Sequence, residues 1–212
     1  KLRSGGAEAI ARVEPPPGIV DVAVWPPALV KGRDASAAVD LLAVGPDGEP
    51  AAQAAPPELT VSSGRIRDLV AAGPGRFRGR YEPVETRVPE VAVLLAVLPR
   101  CPLCPTPRAV GYAVVPLAAA VELPGRSEPG VRTTVTVAGR SYGPAIADSR
   151  GRFSIPVVIP PGAQLATGTT VDALGNRRTT PIDLGLPPVD RLACAAWPRA
   201  LPADGRSEAG VY

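Results

Sequence analysis

The sequence predicts an all-β chain made of antiparallel sandwiches in tandem, and three observations support this fold class. Proline and glycine contribute 28 and 22 of the 212 residues, and they separate short apolar runs as turns separate strands. Hydrophobic residues make up 45% of the chain, which is enough to fill protein cores. The segment Trp25-Pro26-Pro27-Ala28-Leu29 returns 172 residues later as Trp197-Pro198-Arg199-Ala200-Leu201, a spacing suited to two small domains.

This repeat sets the expected domain boundaries. It extends upstream, because Pro15–Asp21 before the first tryptophan parallels Leu186–Asp190 before the second, so a linker and a first strand recur together. We therefore expect a linker or the end of a preceding module at residues 1–17, a first domain at 18–117, a second at 118–187 and the truncated start of a third at 188–212.

The first domain is expected to open with a strand at Ile19–Val24. In the segment Gly73–Tyr81, Phe77 and Tyr81 alternate with three arginines, so one face of this strand should be core and the other wet. The continuous apolar run Val91–Leu98 is bounded by prolines and predicts a central strand buried on both faces. Further strands are expected at Ser36–Val44, at Leu59–Ser62 and, as the return of a hairpin, at Ala109–Leu117.

The second domain shows the same alternation of short apolar strands and turn residues. Its separators include Ser149-Arg150-Gly151 and Pro160-Pro161-Gly162. Pro156 has no backbone N–H, so the strand that contains it should be an edge strand or carry a bulge. The expected strands are Thr133–Val137, Phe153–Ile159, Ala166–Val171 and Thr179–Leu184.

Several turn motifs resemble those of bacterial immunoglobulin-like domains of the invasin and intimin type. Leu201–Ser207 resembles the entry to their strand B, Pro46–Pro50 the turn after that strand, and Gly73–Phe77 a later glycine-marked strand. In the second domain, Ala147–Phe153 and Asp172–Asn176 are similar to turns in other bacterial immunoglobulin-like repeats of surface proteins. The resemblance implies tandem immunoglobulin-like β-sandwiches that serve as stalks, spacers or adhesive tips, and it supplies no catalytic residues.

The residue types present restrict the chemistry. The chain contains 0 histidines, which removes the Ser-His-Asp and Cys-His arrangements and the commonest metal ligand. Paired carboxylates remain, with Glu82, Glu85 and Glu90 as the nearest candidates, but these residues flank prolines in an expected loop that has no aromatic sugar platform. We interpret them as part of a solvated loop and predict no catalytic residue, no cofactor and no metal ligand.

The three cysteines are interpreted as structural. Cys101 and Cys104 form a C-x-x-C motif, but Pro102 and Pro105 prevent the helix that a redox motif of this kind opens, and one more cysteine without histidine cannot complete a zinc site. We favour a disulfide between Cys101 and Cys104 over free thiols, provided that the protein is exported. Cys194 is either a buried thiol or bonded to a cysteine outside the sequence.

Five arginines predict a basic face in the first domain. Such a face can hold polyanions through bidentate hydrogen bonds, but with 23 basic and 20 acidic residues the overall charge is nearly balanced, and no exposed aromatic residues are interleaved with these arginines. We therefore favour a solvated face over a polyanion-binding one. The residues concerned are Arg65, Arg67, Arg76, Arg78 and Arg80.

Isolated acids and the two tryptophans complete the candidate residues. Asp148, Asp172, Asp183 and Asp190 are candidates for calcium at a junction between modules, but they form no D-x-D-x-D-G run, and we favour ordinary Asx turns. Trp25 and Trp197 each begin a module. We favour a role in the core or at a junction between modules over a role in binding, because the position recurs with the structural unit. We therefore predict that both tryptophans are domain-junction anchors.

The function that these features indicate is a non-catalytic structural or adhesive spacer of a bacterial cell-surface or extracellular protein. Two alternatives stay open: a carbohydrate- or polyanion-binding accessory module of a secreted enzyme, and a subunit of an extracellular filament whose edge strand accepts a neighbour's strand. Expected partners are neighbouring modules of the same chain, other protein subunits or surface glycans, and not nucleic acid. No apolar stretch reaches the roughly 20 residues that span a bilayer, so no membrane insertion is expected. The expected location is the cell surface or the extracellular space, or alternatively the periplasm.

Overall fold

The computed structural model describes residues 2–4, 7–9, 18–45, 47–51, 56–98, 109–187, 196–197 and 210–211, and for the short segments at the two ends only the strand backbone. Within these residues the chain is all-β, and no helix is long and apolar enough to cross a membrane. The strands are β1 (Leu2–Ser4), β2 (Ala7–Ala9), β3 (Ile19–Trp25), β4 (Leu29–Lys31), β5 (Ala37–Val44), β6 (Glu58–Val61), β7 (Arg65–Gly73), β8 (Arg76–Glu82), β9 (Glu90–Val97), β10 (Val110–Arg126), β11 (Arg132–Val137), β12 (Arg140–Ile146), β13 (Arg152–Ile159), β14 (Leu165–Val171), β15 (Arg177–Asp183), β16 (Ala196–Trp197) and β17 (Gly210–Val211).

Two sheets form a first sandwich with the strand order of an immunoglobulin constant domain. One sheet has the order β3-β5-β8-β7, and the other contains β6, β9 and β10 side by side. These orders correspond to the ABED and CFG sheets of that fold. The short strand β4 adds to β10 in parallel, which is a departure from purely antiparallel pairing. The predicted fold class, all-β immunoglobulin-like sandwiches, is confirmed.

The core of this sandwich lies where the predicted alternation places it. In β8, Phe77 and Tyr81 are buried while the arginines between them are exposed, as predicted. In β9 all residues from Ala92 to Val97 are buried, so both faces of this strand are covered, as expected for a central strand between β6 and β10. The predicted hairpin also forms, since Val97 pairs with Val110 and Glu90 with Leu117.

A second, smaller sandwich follows. The sheet β12-β11-β14-β15 packs against the β10–β13 pair around a separate apolar cluster. Its strand order differs from that of the first sandwich. Pro156 lies in β13, which pairs only with β10 among the described strands, so the predicted edge position is confirmed. The buried members of the cluster are Val135, Val137, Ile155, Val157, Ile159 and Ala166.

One strand joins the two sandwiches. Residues Val110–Leu117 of β10 pair with β9, and residues Ala119–Arg126 of the same strand pair with β13. Leu117 also pairs with β4, which therefore lies on the edge of β10 opposite β9. The predicted boundary between residues 117 and 118 thus falls inside a continuous strand, and the domain limits stay a prediction.

Several strands or parts of strands were not predicted from the sequence, among them the short strand β4. Strand β7 was missed because its register shifts twice along β8 and Asp68 has a φ of 52°, which hides the alternation. Strand β12 contains Gly143 and Pro144, both typical of turns. Strand β10 continues past residue 117 through Pro124, which is tolerated because β10 has only one partner strand at that position.

The sequence repeat is also a repeat of strand pairing. Trp25 pairs with Ala38 in the β3–β5 hairpin, and Trp197 pairs with Gly210 in the β16–β17 hairpin. Gly210 follows Ala38 by the same 172 residues that separate the tryptophans. The two segments therefore share both sequence and register.

Candidate functional site

The candidate site is the outer face of the β3-β5-β8-β7 sheet. Side chains of directly paired antiparallel residues lie on the same face, so the register defines rows across the sheet. One row contains Trp25, Ala38, Arg80 and Arg67, and the next contains Ala23, Asp40 and Arg78. All seven residues are exposed. We call these two rows the Trp25 face.

Most of the predicted arginines are present on this face, but acids engage them. The Nε atom of Arg78 donates a hydrogen bond to Asp40 Oδ1 at 2.9 Å, and Arg80 donates to Asp68 on β7. The Nε atom of Arg65 donates to Glu82 Oε2 at 2.6 Å. This face is therefore a lattice of ion pairs and not a stripe of unpaired positive charge.

Glu82 is the centre of one of these pairings. The hydrogen bond from Arg65, with the positive charges of Arg65, Arg67 and Arg80, holds the pKa of the Glu82 carboxyl below its usual range. The Nε atoms of Arg67 and Arg80 lie 3.7 and 3.9 Å from its carboxylate oxygens. A polyanion would have to compete with carboxylates already in place, which weakens the polyanion-binding interpretation of these arginines.

Trp25 lies on this face and not in the core. Its side chain is 73% exposed, so the core position that we considered for it is wrong. We discounted a binding role for the arginines partly because no exposed aromatic residue was expected among them. That reason no longer holds, because the exposed ring of Trp25 shares a row with Arg80. A role at a junction with another module stays a prediction. For Trp197 only the strand backbone is described.

The three candidate carboxylates have different surroundings. Glu82 is bound to Arg65, and Glu85 lies in an exposed loop. Glu90 contacts the ammonium group of Lys31. Among the residues that the structure describes, no three acidic or cysteine side chains gather in a way that could hold a metal ion.

Lys31 is a structural residue that the sequence analysis missed. It is 2% exposed, and its Nζ atom donates to Thr86 Oγ1 at 3.0 Å, to the Val88 carbonyl at 2.9 Å and to Glu90. These acceptors satisfy all three N–H groups of the ammonium. The available signal was its position two residues after Leu29, on the same inward side of a strand.

The isolated aspartates cap turns. Asp148 Oδ1 accepts hydrogen bonds from the backbone N–H groups of Arg150 and Arg152, both at 2.8 Å, and Asp172 Oδ1 accepts from those of Leu174 and Asn176. The Asx-turn interpretation is thereby confirmed at these two positions. It is confirmed at Asp183 as well, whose Oδ1 accepts from the N–H of Gly185.

These hydrogen bonds favour the ionised carboxylates. The backbone N–H of Arg152 is the main cause that lowers the pKa of Asp148, and the side-chain amide of Asn176 is the main cause that lowers that of Asp172. The remaining predictions at Asp190, Cys101, Cys104 and Cys194 fall outside the described residues, so the disulfide stays a prediction.

Comparisons with known proteins give structural similarity only. No protein-family model and no curated protein matches the chain. The adhesin InvE of Yersinia pseudotuberculosis aligns with 78% of this chain and 58% of its own, at 12% identity and a TM-score of 0.36. InvD of the same organism aligns with 87% of this chain and 62% of its own, at 11% identity and a TM-score of 0.37. The chain thus spans about three fifths of the length of these structures.

Proposed function

We propose that this chain is a non-catalytic, rigid spacer built from immunoglobulin-like modules that meet near residues 117 and 118. The observation that supports this proposal is the path of β10, which pairs with β9 along Val110–Leu117 and with β13 along Ala119–Arg126. A strand shared in this way connects the two modules without a flexible linker.

The pairing around the junction resists bending. The β9 ladder ends at Leu117 and the β13 ladder begins at Ala119, so a bend of β10 at residue 118 would have to break the pairing with β4, which crosses this point. Strand β4 pairs with Leu117–Ala119 on the opposite edge, so it spans the bend point. Lys31, the last residue of β4, is anchored in turn to Glu90 at the start of β9.

The side-chain chemistry supports a non-catalytic role. The chain has 0 histidines, and both Glu82 and Glu90 are bound to basic side chains. A general acid or base needs a group free to exchange a proton with a substrate at the working pH. The carboxylates of Glu82 and Glu90 are held in ion pairs and are not free in this sense.

Three edge strands carry features that disfavour pairing with a neighbour's strand, which supports a spacer over a filament subunit. Strand β7 is bulged at two places, and β12 contains Gly143 and Pro144. Strand β15 carries Arg177, Arg178 and Pro181 on an exposed edge. Bulges, charges and prolines of this kind are the features with which proteins prevent edge-to-edge pairing.

The turn motifs that resemble bacterial immunoglobulin-like repeats support placing this spacer at the bacterial surface or outside the cell. Its partners would be the neighbouring modules of the same chain, and other subunits or surface glycans that the spacer presents or contacts. An accessory module of a secreted enzyme is the alternative that the Trp25 face favours, because an exposed ring beside ordered polar groups suits ligand contact.

Rigidity can be measured with spin labels on the two sandwiches. In a chain whose native cysteines are replaced by serine, labels at Ala72→Cys and Leu174→Cys occupy exposed positions of the first and second sandwich. We expect pulsed dipolar spectroscopy to give one narrow distance distribution. A broad distribution in this parent chain would refute the rigid spacer.

A matched pair of insertions locates the source of the rigidity. A Gly-Ser-Gly-Ser insertion after Ala118 interrupts β10 and should broaden the distribution. The same insertion after Pro161, in the turn between β13 and β14, should leave it narrow. Equal broadening by both insertions would contradict a role for the shared strand.

A further inference from the structure

The exposure of Trp25 calls for a partner. Tryptophan carries a large apolar ring that is usually well buried, yet this side chain is 73% exposed at the end of β3. The residue directly opposite is Ala38, and the next outward residue on the same strand is Ala23. These small side chains cannot cover the indole ring, so the sheet presents it as an open planar platform.

Ordered polar groups extend from this platform along the sheet. Arg80 follows Ala38 in the same row and is held by Asp68, and Arg78 in the next row is held by Asp40. A guanidinium has five N–H donors, and the ion pairs use only some of them. The face therefore offers fixed donors and acceptors beside a ring, with nearly balanced charge.

This combination matches a sugar better than a charged polymer. One face of a pyranose ring is lined with C–H groups that can pack on an indole, while its hydroxyls lie at the edge and both donate and accept hydrogen bonds. A neutral glycan would not have to displace Asp40 or Asp68 from their arginines. A polyanion would meet these carboxylates as like charges.

The pairing of a tryptophan with a small residue recurs along the chain. Trp197 pairs with Gly210 in the register in which Trp25 pairs with Ala38, although the intervening sequence has changed at many positions. A tryptophan opposite a residue with little or no side chain is retained. The tryptophan and its small partner are therefore the part of the platform that the described strands of the repeat retain.

We propose that the Trp25 face binds a neutral glycan chain, with a sugar ring stacked on the indole of Trp25 and its hydroxyls hydrogen-bonded to Arg80, Arg78 and their acidic partners. The proposal is independent of the rigid-spacer proposal, since a flexible junction would leave this face intact.

Tryptophan fluorescence and calorimetry test the proposal on the full chain. The substitution Trp197→Phe leaves Trp25 as the sole tryptophan, so its emission reports this face. The probes are β-1,4-linked hexasaccharides of glucose, N-acetylglucosamine and xylose, with a heparin hexasaccharide as the polyanion. We expect a saturable shift of Trp25 emission with at least one neutral probe and none with heparin.

Variants then identify the platform. In the same background Trp25→Ala has no tryptophan left to report, so calorimetry measures it, and we expect binding to weaken by roughly tenfold or more, the loss typical of an aromatic anchor. Trp25→Phe should recover part of it. Tyr112→Ala is the matched control, because Tyr112 is 65% exposed on the other sheet of the same sandwich, and it should bind like the parent.

Four results would overturn the proposal. The first is no saturable response to any neutral probe, and the second is unchanged binding in Trp25→Ala with an unchanged melting temperature. The third is a response to heparin alone, which would make the face a polyanion site. The fourth is concentration-dependent self-association that Trp25→Ala abolishes, which would make it a protein interface.

Discussion

The ammonium group of Lys31 contacts the carboxylate of Glu90, 59 residues further along the chain, beside the junction between the two sandwiches. Lys31 is buried at the end of β4, whereas the Glu90 side chain is 31% exposed at the start of β9. The pair links β4, which lies on one edge of β10, to β9, which lies on the other edge.

Removing the lysine should destabilise the first sandwich. Lys31→Met keeps the aliphatic stem but leaves Glu90 and the Val88 carbonyl without their donor, so we expect a loss of about 2–3 kcal/mol in the free energy of unfolding. Urea denaturation measures this. The double variant Lys31→Met/Glu90→Leu should recover much of the loss. The control Arg33→Ala, at an exposed position, should change the free energy of unfolding by less than about 0.5 kcal/mol.

Tyr81 provides a second comparison within the same sandwich. Its ring is fully buried, and its hydroxyl donates to the Ser63 carbonyl at 3.0 Å. Tyr81→Phe should cost about 1 kcal/mol of unfolding free energy, because the half-buried Ser63 carbonyl loses its donor. Tyr112→Phe, at an exposed position, is the control and should be nearly neutral. Equal effects of the two substitutions would contradict the hydrogen bond.

Burial, with the negative charge of Glu90, raises the pKa of the Tyr81 phenol. Tyr81 should therefore stay protonated at pH values at which a free phenol, with an ordinary pKa of about 10, ionises. Difference absorbance at 295 nm, compared between the parent and Tyr81→Phe, detects this. The two titrations should coincide up to the pH at which the chain unfolds, and an extra tyrosinate in the parent near pH 10 would contradict it.

The acidic side of the stability profile should follow three carboxyls with lowered pKa values: Glu82, Asp148 and Asp172. A carboxyl whose pKa is lower in the folded than in the unfolded state stabilises the fold. This contribution is complete at a pH above the unfolded-state pKa, which is about 4 here, and it is lost as the pH falls through the folded-state pKa. We expect the melting temperature to be steady from pH 5.5 to 7.5 and to fall below about pH 4.

Scanning fluorimetry from pH 2 to 8 checks this profile. Asp172→Ala should melt at a lower temperature than the parent at pH 7 and should show a smaller further decline on acidification. With 0 histidines in the chain, no imidazole titrates near neutrality. A marked change in melting temperature between pH 5.5 and 7 would contradict the assignment to these carboxyls.

Two glycines with similar backbone angles should respond differently to alanine. Gly130 and Gly151 have φ values of 79° and 72°, but a Cβ at Gly130 would meet nothing within 4 Å, whereas one at Gly151 would overlap the Ser127 carbonyl oxygen. Gly130→Ala should cost about 1 kcal/mol from the backbone angle alone. Gly151→Ala should cost more, because the overlap adds to that penalty, and equal losses in urea denaturation would contradict this.

Much of the fold could be predicted because its signals are local. The alternation of Phe77 and Tyr81 with arginines, the apolar run ending at Leu98 and the Asx turns at Asp148 and Asp172 each depend on residues within a few positions of one another. Strands whose local pattern is broken, such as β7 and β12, were missed for the same reason.

The candidate site was only partly predictable. The alternation indicated that the arginines share an exposed face, but their pairing with Asp40 and Asp68 joins residues far apart in sequence. The exposure of Trp25 likewise depends on Ala38 lying opposite it. No local pattern contains this information, so the site was interpreted as a solvated face.

The sequence by itself determined that this chain is all-β, which faces of its strands are buried, where most turns lie, and that a module start recurs at Trp197. Only the tertiary structure decided the strand order of each sandwich, the continuation of β10 through both, and the position of Lys31 against Glu90. The physical reason is that side-chain alternation and turn chemistry act between near neighbours. Strand partners and ion pairs are instead selected by packing between segments that the chain brings together only when it folds.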